Sequence, residues 1–145
     1  MVAKEEVRDI EELRKKMTAH ALPMFRWAEL FYEHDPGMYT AYVDWTTRAR
    51  EHIELDPKIR EFIAVAIDCV VMWPSPYLDV HMNKAFDAGA TVQELADVVL
   101  ATGRLMGPHS YTHGFNALEK VVNDRDAKGY KTPKRRSDLN VEKGD

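Results

Sequence analysis

The chain has 145 residues, of which 45% are hydrophobic and 30% are charged, and its formal net charge is −4. This length is sufficient for one domain with a sizeable core. The acidic balance leaves no broad basic surface, so no nucleic-acid partner is expected. The single cysteine, Cys69, excludes an internal disulfide and a dithiol redox centre within one chain.

The sequence also predicts where the protein is located. Its N-terminal stretch, MVAKEEVRDIEELRKK, is charged and lacks the apolar region of a secretory signal. The longest apolar run, residues 62–73, is interrupted by Asp68 and is too short to span a bilayer. A single cysteine fits a reducing compartment. We therefore expect a soluble cytoplasmic protein with no membrane partner.

The first part of the chain predicts helices. Residues 5–33 fit one or two amphipathic helices divided near Leu22-Pro23. Asp35 followed by Pro36 is typical of an N-cap with proline at the first helical position. The apolar residues that follow recur at a spacing of three to four, which predicts another helix there.

The same signals mark two helices in the middle of the chain. Asp56 followed by Pro57 predicts a helix that runs to about Trp73, where the sequence WPSP ends it. Ser75-Pro76 then begins a further helix, and Gly89 ends it.

The last two predicted helices follow at once. Thr91 and Glu94 form the T-x-x-E capping-box pattern ahead of an apolar run. Gly107-Pro108 breaks that helix, and a final one is expected over residues 110–122. Because no segment alternates convincingly between apolar and polar residues, we predict an all-α fold of six to seven helices.

The composition changes near Asn123. From there the sequence is polar and nearly free of apolar residues, so it cannot bury enough surface to offset the entropy of ordering. We therefore predict one helical domain over residues 1–122 and a polar C-terminal tail over 123–145. The tail is interpreted as solvated or laid over a neighbouring subunit, in preference to an anion contact through KTPKRR.

The predicted helix from Pro57 to Trp73 is apolar around nearly its whole circumference. Such a helix is normally buried on all sides. Since a small domain rarely encloses a helix completely, part of this surface is expected to meet another subunit. The pattern thus predicts a homo-oligomer.

Glu61 and His81 are the main candidates for chemistry. They are carried on neighbouring predicted helices, and a histidine beside a carboxylate is suited to proton transfer near neutral pH. Each also has an ordinary structural explanation. Acidic residues are common near helix N-termini, and a lone histidine on an apolar helix is usually a core residue.

Asp68 is unusual because it lies within the apolar stretch AIDCVV. It follows Glu61 by seven residues, so both carboxylates lie on about the same helix face. A buried carboxylate needs a partner or a raised pKa. Asp68 is expected either to join a site or to pair with Arg60 or Arg104.

His109 and His113 are four residues apart and share a helix face. This spacing would suit two ligands of one metal ion, with His81 or Asp68 as a third. The zinc motif H-E-x-x-H is absent, however. The two histidines are therefore predicted to line a substrate pocket, and no metal is expected.

Three stretches occur in an order that points to a known family: LDPKIREFIAVAI, LDVHMNKAFDAGATVQELADVVL, and Gly107 after LATGRLM. Between residues 55 and 118 the chain resembles the carboxymuconolactone decarboxylase superfamily, which includes the alkylhydroperoxidase-D-like proteins. The resemblance implies an all-helical domain that assembles into trimers or hexamers.

The peroxidase branch of that family places a C-x-x-C pair between a proton-relay glutamate and a histidine. Glu61 and His81 fall at the relay positions. The cysteine positions fall near Trp73 and at Pro76 or Tyr77, and none of these is cysteine. Thiol peroxidase activity is therefore not expected, because that chemistry requires a thiolate.

The decarboxylase branch also lacks the cysteines and acts on a lactone acid from aromatic catabolism without a cofactor. The resemblance thus implies a cofactor-independent lyase or isomerase whose substrate is a small carboxylated lactone or related ring-cleavage product. His81 would be the general acid/base, and Glu61 would orient it or relay its proton.

Five residues are expected to form the substrate pocket, and several of them are bulkier than is usual in the family: Asp68, Trp73, Tyr77, His109 and His113. Two alternatives stay open. One is a metal-dependent enzyme that uses His81, His109 and His113. The other is a non-catalytic oligomeric binding protein with the same fold.

Overall fold

The computed structural model describes residues 7–74 and 76–135. Within these ranges the chain forms seven α-helices and no strand, which confirms the predicted all-α fold. The helices are α1 (Ile10–Ala19), α2 (Arg26–His34), α3 (Pro36–Glu51), α4 (Pro57–Val71), α5 (Tyr77–Asp87), α6 (Val92–Met106) and α7 (Pro108–Ala127).

The chain divides into two compact units between Glu54 and Leu55. The first contains α1 to α3, and the second contains α4 to α7. The second unit begins at the residue where the family resemblance begins. The single domain over residues 1–122 stays a prediction.

The first unit packs α1 and α2 against α3. The carboxylate of Asp35 accepts a hydrogen bond from the Met38 backbone N–H at 2.9 Å, so this residue caps α3 as predicted. The buried apolar residues of this unit come from all three helices: Leu13, Met17, Ala28, Tyr39 and Val43.

The predicted helix starts of the second unit are also confirmed. Asp56 accepts a hydrogen bond from the Lys58 backbone N–H at 2.8 Å and caps α4. Thr91 and Glu94 form both hydrogen bonds of the capping box at the start of α6. The helix α5 begins at Tyr77; the predicted start residue Ser75 lies outside the described residues.

Two helix ends differ from the prediction. The helix α4 ends at Val71, two residues early, because Met72 adopts a left-handed conformation with φ 53° and ψ 43°. The helix α7 runs to Ala127, five residues beyond the predicted end at 122. Val121 and Arg125 continue its buried face, so packing extends the helix into the polar sequence.

Most of residues 123–135 of the predicted tail are exposed, but several of them contact the rest of the second unit. The Arg125 guanidinium lies 5.2 Å from the Phe86 ring and 5.1 Å from the Tyr130 ring, and it donates to Asp87 at 2.9 Å. The carbonyl oxygens of residues 133 and 134 accept from the first backbone N–H groups of α6 at 2.9 and 3.0 Å. Residues 136–145, the rest of the predicted tail, lie outside the described part of the chain.

One face of α4 is buried within the chain, and the opposite face is exposed. Ile67 is 54% exposed and Leu105 of α6 is 76% exposed. A cavity of about 300 Å³ lies between the two helices, and its lining is almost wholly apolar: Ala66, Ile67, Val70, Val71, Thr102, Leu105 and Met106. Contact of this face with another subunit stays a prediction. Within the described ranges, no helix has the length and apolar character needed to cross a membrane.

Candidate active site

Glu61 of α4 and His81 of α5 contact each other directly. The distance between His81 Nδ1 and Glu61 Oε2 is 2.7 Å. The Glu61 side chain is only 5% exposed, whereas that of His81 is 34% exposed. The structure therefore joins a buried carboxylate to an imidazole that solvent or a small molecule can reach.

This arrangement determines which nitrogen of His81 is available for chemistry. A carboxylate only accepts hydrogen bonds, so the proton between the two side chains belongs to Nδ1. In the neutral imidazole, Nε2 then carries the lone pair. Nε2 forms no hydrogen bond with the described residues. The pair is thus arranged to hold the ring by one nitrogen and to accept or donate a proton at the other.

Asp68 lies on the same side of α4 as Glu61 and is 9% exposed. Its Oδ2 atom is buried without a hydrogen-bond partner among the described residues. Among the described residues, Asp68 forms no ion pair with Arg60 or Arg104. The ion pair with an arginine that the sequence left open is therefore not observed. Burial raises the pKa of Asp68, and the charges of His81 and His113 act in the opposite direction.

His113 ties α7 to the end of α4. Its Nε2 lies 2.8 Å from the Trp73 carbonyl oxygen. The Trp73 backbone N–H in turn donates to the Asp68 carbonyl oxygen at 2.9 Å. The Trp73 and Tyr77 rings meet edge to face with centroids 5.6 Å apart. These predicted pocket residues therefore lie together around the connection between α4 and α5.

His109 does not join this group. It is exposed in the first turn of α7, although it shares a helix face with His113. No group of three or more histidine, cysteine, aspartate or glutamate side chains is placed to hold a metal ion within the described residues. The set His81, His109 and His113 that the metal-dependent alternative requires is therefore not assembled.

Cys69, next to Asp68, is fully buried. Burial, with a smaller contribution from the charge of Asp68, raises the pKa of its thiol to about 11. A thiol with such a pKa is almost entirely protonated at neutral pH and is a poor nucleophile. Cys69 is thus a core residue.

A second cavity, of about 180 Å³, was not predicted. Six residues of α5 and α7 line it: Leu78, Asp79, His113, Asn116, Ala117 and Lys120. Lys120 Nζ bonds to both Asp79 and Asp124 at 2.9 Å. The only sequence signal for this cavity is the three-to-four spacing of His113, Asn116 and Lys120 along one face of α7.

No family model, curated protein or solved structure matched this chain. The resemblance to the carboxymuconolactone decarboxylase superfamily therefore stays a prediction carried by the motifs of residues 55–118.

Proposed function

We propose that this protein is a cofactor-independent acid/base lyase or isomerase of the carboxymuconolactone decarboxylase type. Its substrate would be a small carboxylated lactone or a related product of aromatic ring cleavage. The observation that supports this proposal is the 2.7 Å contact between Glu61 and His81. These are the two positions that match the proton-relay glutamate and histidine of the family.

In the proposed decarboxylation, the bond between the ring carbon and the substrate carboxylate breaks. Its electron pair passes into a dienolate, and carbon dioxide leaves. Protonated His81 then gives the proton on Nε2 to the dienolate carbon, and the neutral ring recovers a proton from solvent. The Glu61 carboxylate holds the ring through Nδ1. In an isomerisation, the same nitrogen would take a proton from one carbon and return it to another.

The pocket residues would bind and orient this substrate. The exposed ring of Trp73 and the half-buried ring of Tyr77 offer an apolar wall beside the site. His113 holds the Trp73 backbone in place. His109 is exposed, so the structure of the single chain does not support its predicted place in the pocket.

We also propose that the protein acts as a cytoplasmic homo-oligomer, a trimer or a hexamer as the family resemblance implies. The exposed apolar face of α4 and α6 supports this proposal, because contiguous apolar surface of this kind commonly marks an interface. Light scattering on a size-exclusion column would test it. Elution at the chain mass of 16.7 kDa over all concentrations would contradict it.

The enzymatic proposal is tested by following the ultraviolet absorbance of gamma-carboxymuconolactone with chelator-treated protein. His81→Ala is expected to lower turnover by about a hundredfold or more, the usual effect of losing an acid/base group. His34→Ala is the matched control, since His34 is an exposed histidine at the end of α2. It should behave as the unchanged protein does.

Three results would contradict the proposal in different ways. Turnover that survives His81→Ala would remove the role assigned to His81. An unchanged protein that does not consume the lactone would remove this substrate and favour the non-catalytic alternative. Turnover abolished by the chelator would instead favour a metal-dependent reaction.

A further inference from the structure

His20 joins the ends of two helices of the first unit. It is the C-cap residue of α1, and its Nδ1 lies 2.8 Å from the carbonyl oxygen of Lys16 in the last turn of that helix. Its Nε2 lies 2.7 Å from Oε1 of Glu51, the last residue of α3. One imidazole ring therefore contacts the C-terminal ends of both helices.

Both contacts together require a charged ring. A backbone carbonyl oxygen and a carboxylate accept hydrogen bonds and cannot donate them. Each ring nitrogen must therefore carry a proton for the two contacts to coexist, and only the imidazolium form of His20 has two N–H groups. The positive charge is also favoured where His20 stands, because the C-terminus of a helix carries a partial negative charge.

The neutral ring can keep only one of the two contacts. It has a single N–H group, which either the Lys16 carbonyl oxygen or the Glu51 carboxylate can accept. The contact with Lys16 lies within one helical turn, whereas the contact with Glu51 needs a side chain from another helix. Loss of the proton would leave a ring lone pair facing the carboxylate, and the two would repel each other. The contact between α1 and α3 is therefore the one that opens.

The other charged groups near this contact keep their own partners. Lys16 Nζ bonds to the carboxylate of Asp44 on α3 at 2.7 Å, which gives the two helices a second link. On α3, His52 follows Glu51 and its charge acts on that carboxylate. Four charged residues of α1 and α2 bond to one another: Arg14, Arg26, Glu29 and Glu33. The link through His20 is therefore the one that a single proton near neutral pH can open.

The two contacts raise the pKa of His20 above its ordinary value of 6.5. The hydrogen bond to the Lys16 carbonyl oxygen has the largest effect and the hydrogen bond to Glu51 the next, while desolvation and the charge of Lys16 act in the opposite direction. The hydrogen bond from His20 in turn lowers the pKa of Glu51. The ring therefore loses its proton at a pH above 6.5, where the Glu51 carboxylate is ionised.

We propose that His20 and Glu51 form a proton-operated clasp that holds the last turn of α3 against the end of α1. The clasp is closed below pH 6.5 and opens as the pH rises through the raised pKa of His20. Because Lys16 and Asp44 still link the two helices, the opening is confined to the end of α3. The first unit ends at Glu54, shortly after this turn, so the clasp controls the order of the chain where it leaves that unit. The inference does not depend on the proposed enzymatic function.

The first experiment measures the protonation of His20 in the complete chain by nitrogen-15 nuclear magnetic resonance. The ring signals are assigned by their loss in His20→Gln, and at pH 6 both nitrogens are expected to be N–H groups. The titration midpoint should lie above 6.5 and should fall in Glu51→Gln, because the amide has no charge and can donate to the neutral ring. Glu12→Gln changes an exposed glutamate in the first turn of α1 and should leave the midpoint unchanged.

The second experiment measures the opening by amide hydrogen exchange. The His52 backbone N–H donates to the Arg48 carbonyl oxygen at 3.2 Å, so its protection reports fraying of the last turn of α3. After correction for the intrinsic effect of pH, this protection should fall by about two- to fivefold between pH 6 and pH 8, the scale of losing an exposed ion pair. In Glu51→Gln it should stay constant, since glutamine can accept from the charged ring and donate to the neutral one. Glu12→Gln should show the same fall as the unchanged protein.

Either experiment can overturn the proposal. A His20 midpoint at or below 6.5, or one that Glu51→Gln leaves unchanged, would mean that Glu51 does not hold the ring as a cation. Protection of His52 that is constant with pH in the unchanged protein, or that falls equally in Glu51→Gln, would mean that the proton does not control the end of α3. A raised midpoint that falls in Glu51→Gln, with protection that depends on pH only while Glu51 is present, supports the clasp.

Discussion

The stability of Asp68→Asn is expected to depend on pH in a direction that burial determines. Asparagine has nearly the same shape as aspartate but cannot ionise, so the comparison isolates the cost of the buried charge. Burial raises the pKa of Asp68 above the ordinary value of 3.8 in the folded protein. In the unfolded chain that carboxyl group is solvated and titrates near the ordinary value.

Between these two pKa values the folded protein binds more protons than the unfolded chain does. The free energy of unfolding therefore falls as the pH rises through this window, and the loss is complete above the folded-state pKa. Each pH unit by which the folded-state pKa exceeds the unfolded-state pKa lowers the free energy of unfolding by about 1.4 kcal/mol. Below pH 3.8 the carboxyl group is neutral in both states, and the loss disappears.

The magnitude follows from the burial of the group. A buried polar atom without a partner costs about 1–3 kcal/mol, and more when it is charged. The charges of His81 and His113 oppose this effect of burial on the carboxyl group. Asparagine leaves a buried polar side chain in the same place, so the variant recovers only the part of the cost that comes from the charge. Its gain in unfolding free energy relative to the unchanged protein should therefore grow as the pH rises from 4.5 to 8, by about 1.4 kcal/mol for each pH unit by which the folded-state pKa exceeds the ordinary value.

Urea unfolding at pH 4.5, 6 and 8, followed by circular dichroism, measures this difference. Asp126→Asn is the control, and its effect should stay within about 0.5 kcal/mol at every pH because the side chain is exposed. A stability difference for Asp68→Asn that is constant from pH 4.5 to pH 8 would refute the reasoning. So would a variant that becomes less stable as the pH rises.

Three further predictions concern packing and capping, and urea unfolding at neutral pH measures each. Gly114→Ala would place a Cβ atom 2.7 Å from a Val99 methyl carbon and should lower the free energy of unfolding by about 1–3 kcal/mol. In a double-mutant cycle with Val99→Ala, the two changes together should cost less than the sum of their separate effects. Strictly additive effects would contradict the clash. Tyr39→Phe removes a buried hydroxyl that has no partner among the described residues, so it should add about 1 kcal/mol, and a loss of stability would contradict this. Thr91→Ala removes the side-chain cap of α6 and should cost about 1 kcal/mol, whereas Thr91→Ser should retain most of that stability.

Helix starts were predictable from the sequence because the groups that form them are neighbours in the chain. Asp35 and Asp56 each precede a proline and cap the first turn of α3 and α4 with their own carboxylates. The capping box of Thr91 and Glu94 spans only four residues. Such contacts depend on local geometry and not on what the helix packs against.

The sequence predicts that Glu61 and His81 lie on neighbouring helices, but it does not predict that their side chains touch. The two residues are separated by twenty positions, and their 2.7 Å contact depends on how α4 and α5 pack. Sequence spacing could not separate His113, which bonds to the Trp73 carbonyl oxygen, from the exposed His109. Both lie on one helix face, and their different positions along α7 decide what each one meets.

The sequence by itself determined the helical class of the protein and where most of its helices begin, since caps, prolines and apolar periodicity act over a few residues. Tertiary structure alone decided that Asp68 is buried without an arginine partner and that Arg125 extends α7 by packing against Phe86 and Tyr130. The physical reason is that burial and charge are properties of the surroundings, which residues distant in the chain supply.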